Sequence, residues 1–432
     1  MDERSPWRGF LTVTAVLAGL LGVASGSAAL VVFAAGWGAL VALSFAAARR
    51  DLGRLVVRRR LPTSSFEAHL LTVDVSLENH SRRSARFVLV EDTFGAGLAD
   101  RQSVFEAGPL PPLHRRVLSY RAFVARQWGL YTVGPLSIGR FDPLGLFFAR
   151  RPVPRLEPFE VYPRAVEIEG LAALGGRSSL AARELTQAAA GQSSSFRGVR
   201  EFQAGDDVRR IHWPATARRG TPMVREHERD LRPVFLLFLD LERSGRAGLG
   251  RRSTLEYLVR VATSLLWTAH RRGDAFGLLA EGERLLFVPP ALGEAHLASC
   301  LHQLVIAKQG GSLPLLEVVE RHREEVPHGA TAALLFATTD VDPGLLGRTI
   351  EILRSSATQA IVVAIDSLAF PPIDRPPTPI EVARDRRSAF ATRLASLGVP
   401  TAILGPDRTA EEGLADPRFL APVPLRFPGA PA

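Results

Sequence analysis

Residues 233–242 read Pro-Val-Phe-Leu-Leu-Phe-Leu-Asp-Leu-Glu, an apolar run opened by a proline and closed by a carboxylate at Asp240. A strand with one wet face alternates polar and apolar residues, whereas a strand covered on both faces does not need to. The same texture returns in 331–340 (TAALLFATTD) and in 359–366 (QAIVVAID), each ending in an acid, and a shorter run, 400–406 (PTAILGP), closes the series. Segments 274–282 (DAFGLLAEG) and 283–290 (ERLLFVPP) read as two further strands. Helical periodicity lies between these runs, near 253–271, 293–306, 314–325, 343–356 and 383–397. Buried strands separated by helices predict an α/β doubly wound domain over 233–405, its parallel sheet covered on both faces. The tail, 406–432, is Pro-rich and is expected to be loosely ordered.

Upstream the period changes. In 70–80 (LLTVDVSLENH), Leu71, Val73, Val75 and Leu77 alternate with Thr72, Asp74, Ser76 and Glu78, the pattern of a half-buried strand. Segments 87–92 (FVLVED) and 117–125 (VLSYRAFVA) continue it, so 51–165 reads as a small β-sandwich-like domain. Residues 166–232 hold an Ala/Gly/Ser-rich linker and then a densely charged segment.

From Phe10 to Ala48 no residue is charged, a stretch of 39 residues. One spanning helix needs about 20 apolar residues. The stretch therefore predicts a transmembrane helical hairpin over 1–50, with spans near 9–25 and 28–47 and a turn at Ser25-Gly26-Ser27. Arg4 and Arg8 precede it, and Arg49, Arg50, Arg54, Arg58, Arg59 and Arg60 follow it. Arginine marks the cytoplasmic side, so the expectation is a bacterial inner-membrane protein with the bulk of its chain in the cytoplasm, its hairpin in the lipid bilayer.

The formal net charge is +9, carried by arginine, with Lys308 the single lysine. Such a balance suits anionic lipid, nucleic acid or an acidic partner. No nucleic-acid-binding motif accompanies it, so nucleic acid ranks below the others. Cys300 is the lone cysteine and lies in an apolar stretch, which excludes an internal disulfide and a cysteine metal site and reads as a buried small hydrophobe.

Ligands of open α/β sheets bind at the carboxyl ends of the strands. Asp240 and Asp340 belong there; Glu242 and Ser244 follow the first, and Gly310-Gly311-Ser312 is expected to open a helix between the two. Carboxylate and hydroxyl oxygens on three loops suit a hard cation such as Mg²⁺. The α/β unit resembles a von Willebrand factor A domain, whose metal-ion-dependent adhesion site carries an Asp-x-Ser-x-Ser motif, a distant Thr and a later Asp. The resemblance implies Asp240 as the first ligand, Ser244 as the second Ser, Ser312 in place of the Thr and Asp340 as the last Asp. Glu242 replaces the first Ser; it either ligates or pairs with an arginine, leaving the site either intact or vestigial.

The charged segment, 197–228, is RGVREFQAGDDVRRIHWPATARRGTPMVREHE. Arg200, Glu201, Gly205, Asp206, Asp207, Arg209, Ile211, Trp213, Ala217 and Arg218 match in order and spacing the signature of the family called domain of unknown function 58, which the segment resembles. Phe202 stands for the usual Tyr, Ala204 for a Pro, and Pro214 for a Lys. Ile211 and Trp213 are expected to be buried, His212 structural, and Arg209 and Arg218 paired with Asp206, Asp207 or Glu201. The resemblance implies a membrane-anchored adaptor beside a MoxR-type AAA+ ATPase, with no established reaction. A non-catalytic protein-binding module is the primary reading. Lipid or nucleic-acid binding through the Arg-rich segment is one alternative, and a metal-dependent hydrolase using Glu201, Asp206, Asp207 and His212 is another.

Overall fold

A computed structural model describes residues 6–92, 103–125, 127–171, 195–203, 211–228, 233–337, 341–356, 358–373, 376, 378–417 and 419–420. The chain forms two compact units, Met1–Tyr162 and Pro163–Ala432.

The first unit opens with two helices, α1 (Pro6–Ser25) and α2 (Ala28–Arg49). Gly26 turns the chain between them at φ 65°, and Ser27 caps α2 by accepting from the Leu30 N–H. Ala28–Arg54 is long and apolar enough to cross a membrane, whereas the apolar part of α1, Thr12–Ser25, is shorter.

Where the spacing predicts a sandwich, the chain builds three small sheets. One has the order β1 (Leu55–Arg60), β3 (Leu70–Asn79), β6 (Arg115–Phe123). The second is β2 (Ser64–Phe66), β10 (Glu157–Tyr162), β7 (Gly129–Val133). The third is β5 (Ser103–Glu106), β4 (Val88–Asp92), β8 (Leu136–Phe141), β9 (Phe148–Val153). Leu71, Val73, Val75 and Leu77 point into the shared core, as their alternation requires, and Val88, Val90, Ile138 and Phe159 meet them there.

Arg59 stands apart from its basic neighbours. It counts among the basic residues that flank the membrane segment, yet it occupies the inward phase of β1 with Leu55 and Val57 and is buried. Its guanidinium donates to Asp92 Oδ1 at 2.7 Å, Glu157 Oε2 at 3.1 Å and the Val133 carbonyl at 2.9 Å. Tyr120 donates to the other Asp92 oxygen at 2.5 Å, so one buried cation joins strands of all three sheets.

The first strands of the second unit form a hairpin, β11 (Ser195–Glu201) and β12 (Met223–Glu228). The six-stranded sheet follows. It contains β13 (Val234–Asp240), β16 (Ala275–Glu281), β17 (Leu285–Ala291), β18 (Thr331–Phe336), β19 (Gln359–Ile365) and β20 (Thr401–Leu404) in the order β17-β16-β13-β18-β19-β20. The two-residue strands β14 (Gly248–Leu249) and β15 (Arg252–Ser253) form a small hairpin after β13. Numbered along the chain, the six strands run 3-2-1-4-5-6.

The sheet is mixed, not wholly parallel, because β17 pairs antiparallel to β16. Only three residues, 282–284, separate these strands, and a parallel crossover needs about a dozen. The Gly282 N–H donates to the Arg284 carbonyl to close that turn. Leu236 and Phe238 face a core shared with the helices Leu315–Arg321, Pro343–Ser355 and Ile380–Ser396. By alternation Phe235, Leu237 and Leu239 face the other side, where the helix Thr254–Arg272 buries most of its residues.

The tail departs from expectation up to residue 420. Thr409 and Glu412 form a capping box for the helix Ala410–Leu414, and Leu414, Phe419 and Leu420 are buried. The Ala/Gly/Ser-rich stretch 172–194 and residues 421–432 lie outside the described residues.

Candidate functional site

β13 delivers Asp240 to its carboxyl end, between β16 and β18, where the strand order reverses. That reversal opens the crevice in which doubly wound sheets bind ligands. Asp240 is 4% exposed. Its Oδ1 accepts from the Glu242 N–H at 2.8 Å. Burial nonetheless raises its pKa to about 6; the backbone donors of Glu242 and Ala337 oppose the shift, and the nearby Glu242 charge adds to it. Among the described residues no cation pairs with Asp240. The acid beside it in register, Glu281, is held by Arg321 at 3.1 Å.

Two loops lock over this strand end. The Gly310 and Gly311 N–H groups both donate to the Leu241 carbonyl, and the Arg243 N–H donates to the Gly311 carbonyl. A Cβ at Gly311 would stand 2.6 Å from the Glu281 carbonyl oxygen, so only glycine allows the approach. A Cβ at Gly245 would lie 2.9 Å from the Ala337 carbonyl oxygen, which shows how tightly the first loop reaches across to the end of β18.

Asp240, Glu242, Ser244 and Ser312 are thereby carried on joined loops. Glu242 is half-buried, and both serines are exposed. Ser312 does not open a helix: the next one starts at Leu315, with Pro314 at its N-cap. Asp340 lies outside the described residues. The donor chemistry fits a hard cation, with oxygen ligands and a buried carboxylate that has no counter-charge among the described residues. Among the described residues no group of three His, Cys, Asp or Glu gathers as a metal shell, so a third carboxylate would have to come from Asp340.

The signature segment folds as a hairpin that carries a short helix, Trp213–Arg219. His212 is structural: its Nδ1 caps that helix by accepting from the Ala215 N–H at 3.1 Å. Ile211 bridges Val224 and is half-buried. Trp213 is 69% exposed, against expectation. The chain leaves strand geometry at His212, so Trp213 falls on a seven-residue helix with no buried residue. Ala217 and Arg218 are exposed. Arg200 is half-buried and donates to the Glu201 carbonyl; Glu201 is exposed. Gly205, Asp206, Asp207 and Arg209, with the pairings expected of them, lie outside the described residues. Cys300 is fully buried, and burial pushes its thiol up to about 12.

One residue escaped the sequence reading. Asp366 ends β19 as Asp240 ends β13, and it is buried with Oδ1 lacking a hydrogen-bond partner among the described residues. The signal for it in the sequence is the acid that closes the apolar run 359–366.

Residues 198–365 match the family model described as Protein of unknown function DUF58. That match supports the identification with this family. The matched region takes in the hairpin from its fourth residue, the switch point and both locked loops, and it ends one residue before Asp366. No curated protein matches the chain. Among solved structures, the CARDB domain of a Pyrococcus furiosus protein, crystallised with di-metal ions, is 16% identical over 25% of this chain and 91% of that one, with a TM-score of 0.19. A fragment of native alpha-2-macroglobulin from Escherichia coli is 15% identical over 26% of this chain and 17% of that one, with a TM-score of 0.21.

Proposed function

We propose that this chain is a membrane-anchored protein-binding module, held in the bacterial inner membrane by a two-span hairpin over 1–50, with its bulk in the cytoplasm. Its second unit acts as a von Willebrand factor A-like domain, gripping a protein at the carboxyl edge of the sheet. The observation that supports this most directly is Asp240, a buried carboxylate with no cation partner among the described residues, at the switch point beneath two interlocked loops. Mg²⁺ held by Asp240, Glu242, Ser244, Ser312 and Asp340 would supply the missing charge and leave a position for a partner carboxylate. The signature hairpin offers a second contact face through Trp213 and Arg218. The partner class is a MoxR-type AAA+ ATPase, as the family resemblance implies. Oxygen ligands of this kind suit a cation that completes its shell with a partner carboxylate, which favours binding over turnover.

The test is affinity capture from detergent-solubilised membranes with Mg²⁺ present. Wild-type chain should retain an AAA+ ATPase, and Asp240→Ala or Asp206→Ala/Asp207→Ala should release it. Three folded proteins that all retain nothing would sink the adaptor reading.

A further inference from the structure

The end of α2 does not stand clear of the β-sheets that follow it. Phe45 packs edge-on against Phe147, with ring centroids 5.4 Å apart, and Ser44 and Ala48 are buried. Phe45 lies four residues before Arg49, about 6 Å up the helix axis. The turn that carries Phe147 therefore sits a full helical turn inside the last arginine of the apolar helix.

That turn is built to show apolar side chains. Asp142 is buried, and its two oxygens accept from the Leu144 N–H at 2.9 Å and the Phe147 N–H at 2.6 Å. The carboxylate is thus turned inward while Leu144 is 55% exposed. The Phe141 N–H donates to the Phe87 carbonyl, which sets those residues side by side, and both rings are exposed. Phe87 holds φ 56°, a left-handed conformation that few residues with a Cβ adopt. Arginines surround this patch. Arg49 lies over the Phe45 ring at 4.3 Å. Arg140 donates to the Arg50 carbonyl at 2.8 Å and to the Arg86 carbonyl at 3.2 Å, so three arginine positions adjoin at this edge, with Arg50 and Arg86 exposed. Asp51, the near acid, already faces Arg54 at 3.6 Å.

We infer that Phe87, Phe141 and Leu144 form a membrane-interface surface that dips into the bilayer α2 enters, while Arg50, Arg86 and Arg140 bind anionic phospholipid headgroups around it. The inference rests on reading Ala28–Arg54 as a membrane span. Depth decides the occupant: the surface runs from Arg140, bonded at Arg50, to the turn that packs on Phe45, and that stretch of the helix end meets the acyl–headgroup boundary, where apolar side chains beside cations partition favourably.

The experiment uses full-length chain in a Cys300→Ala background, with one nitroxide label at Leu40→Cys, Phe87→Cys or Leu144→Cys. Each is reconstituted in phosphatidylethanolamine/phosphatidylglycerol vesicles, and depth is read from relative accessibility to oxygen and to an aqueous nickel complex. Labels at 87 and 144 should report the headgroup boundary and the label at 40 the acyl interior. A deep label at 40 with fully aqueous labels at 87 and 144 would overturn the interface surface alone. An aqueous label at 40 would overturn the span reading and the surface with it. In all-phosphatidylcholine vesicles, nickel accessibility at 87 and 144 should rise at least twofold; no rise would overturn the role given to the arginines.

Discussion

Asp240 carries an opposed pair of demands. The fold buries it, and burial favours the neutral acid, so its folded pKa of about 6 lies above the ordinary value of 3.8. A raised acid binds protons in the folded state that the unfolded chain has released. Without a cation, its contribution is therefore most favourable below pH ~4 and is lost as pH rises to ~6, costing at most about 3 kcal/mol above that window. Asp240→Asn should flatten this part of the pH profile of thermal unfolding and raise stability at pH 7 in chelator. Mg²⁺ should stabilise wild type and leave Asp240→Asn unmoved. A wild-type profile flat between pH 4 and 6 would contradict the buried, uncompensated carboxylate. The position of Asp240 was legible because an apolar run ending in an acid puts that acid at a strand's carboxyl end. Its raised pKa was not legible, since it depends on how the 310–312 loop closes over the strand.

Among elements, the signature helix departs most from its sequence reading. An Ile-x-Trp unit suggests two side chains on one strand face, but the period switches from 2 to 3.6 when His212 becomes an N-cap. The hydrogen bond that causes the switch, from the Ala215 N–H to a histidine nitrogen, has no strong sequence signature. Trp213→Ala should change stability by no more than about 0.5 kcal/mol, as surface changes do. If the hairpin is a contact face, the same variant should weaken partner capture at least tenfold; an exposed aromatic can anchor an interface in a way its folded-state contacts do not reveal. A large fall in melting temperature with capture intact would reverse both assignments. The antiparallel placement of β17, by contrast, was readable from chain length, since three residues cannot make a parallel crossover.

For the molecule as a whole, the sequence conveyed the order of regions better than their internal wiring. The apolar helix, the alternating β region and the α/β sheet each follow from periodicity. The three-sheet arrangement of the first unit does not, because it depends on Arg59 finding Asp92, Glu157 and Val133 across long sequence separations. An arginine on the inward phase of LVVRRR was the one available hint. Arg59→Ala would leave Asp92 buried without its cation, which typically costs about 3–5 kcal/mol. Tyr120→Phe removes one hydrogen bond to the same carboxylate and should cost less than half as much, near 1 kcal/mol. Thermal unfolding in detergent would rank the two, and equal losses would mean that Arg59 is not the joint of the three sheets.

The antiparallel β17 also bears on how the protein behaves when crowded. It forms one outer margin of the six-stranded sheet, and Pro289 and Pro290 near its end have no N–H to offer. A neighbouring chain seeking to extend the ladder there meets missing donors, while the opposite margin, β20, spans only four residues. The sheet is thus poorly suited to fibre-like stacking of copies, a protection that matters most where copies are crowded together.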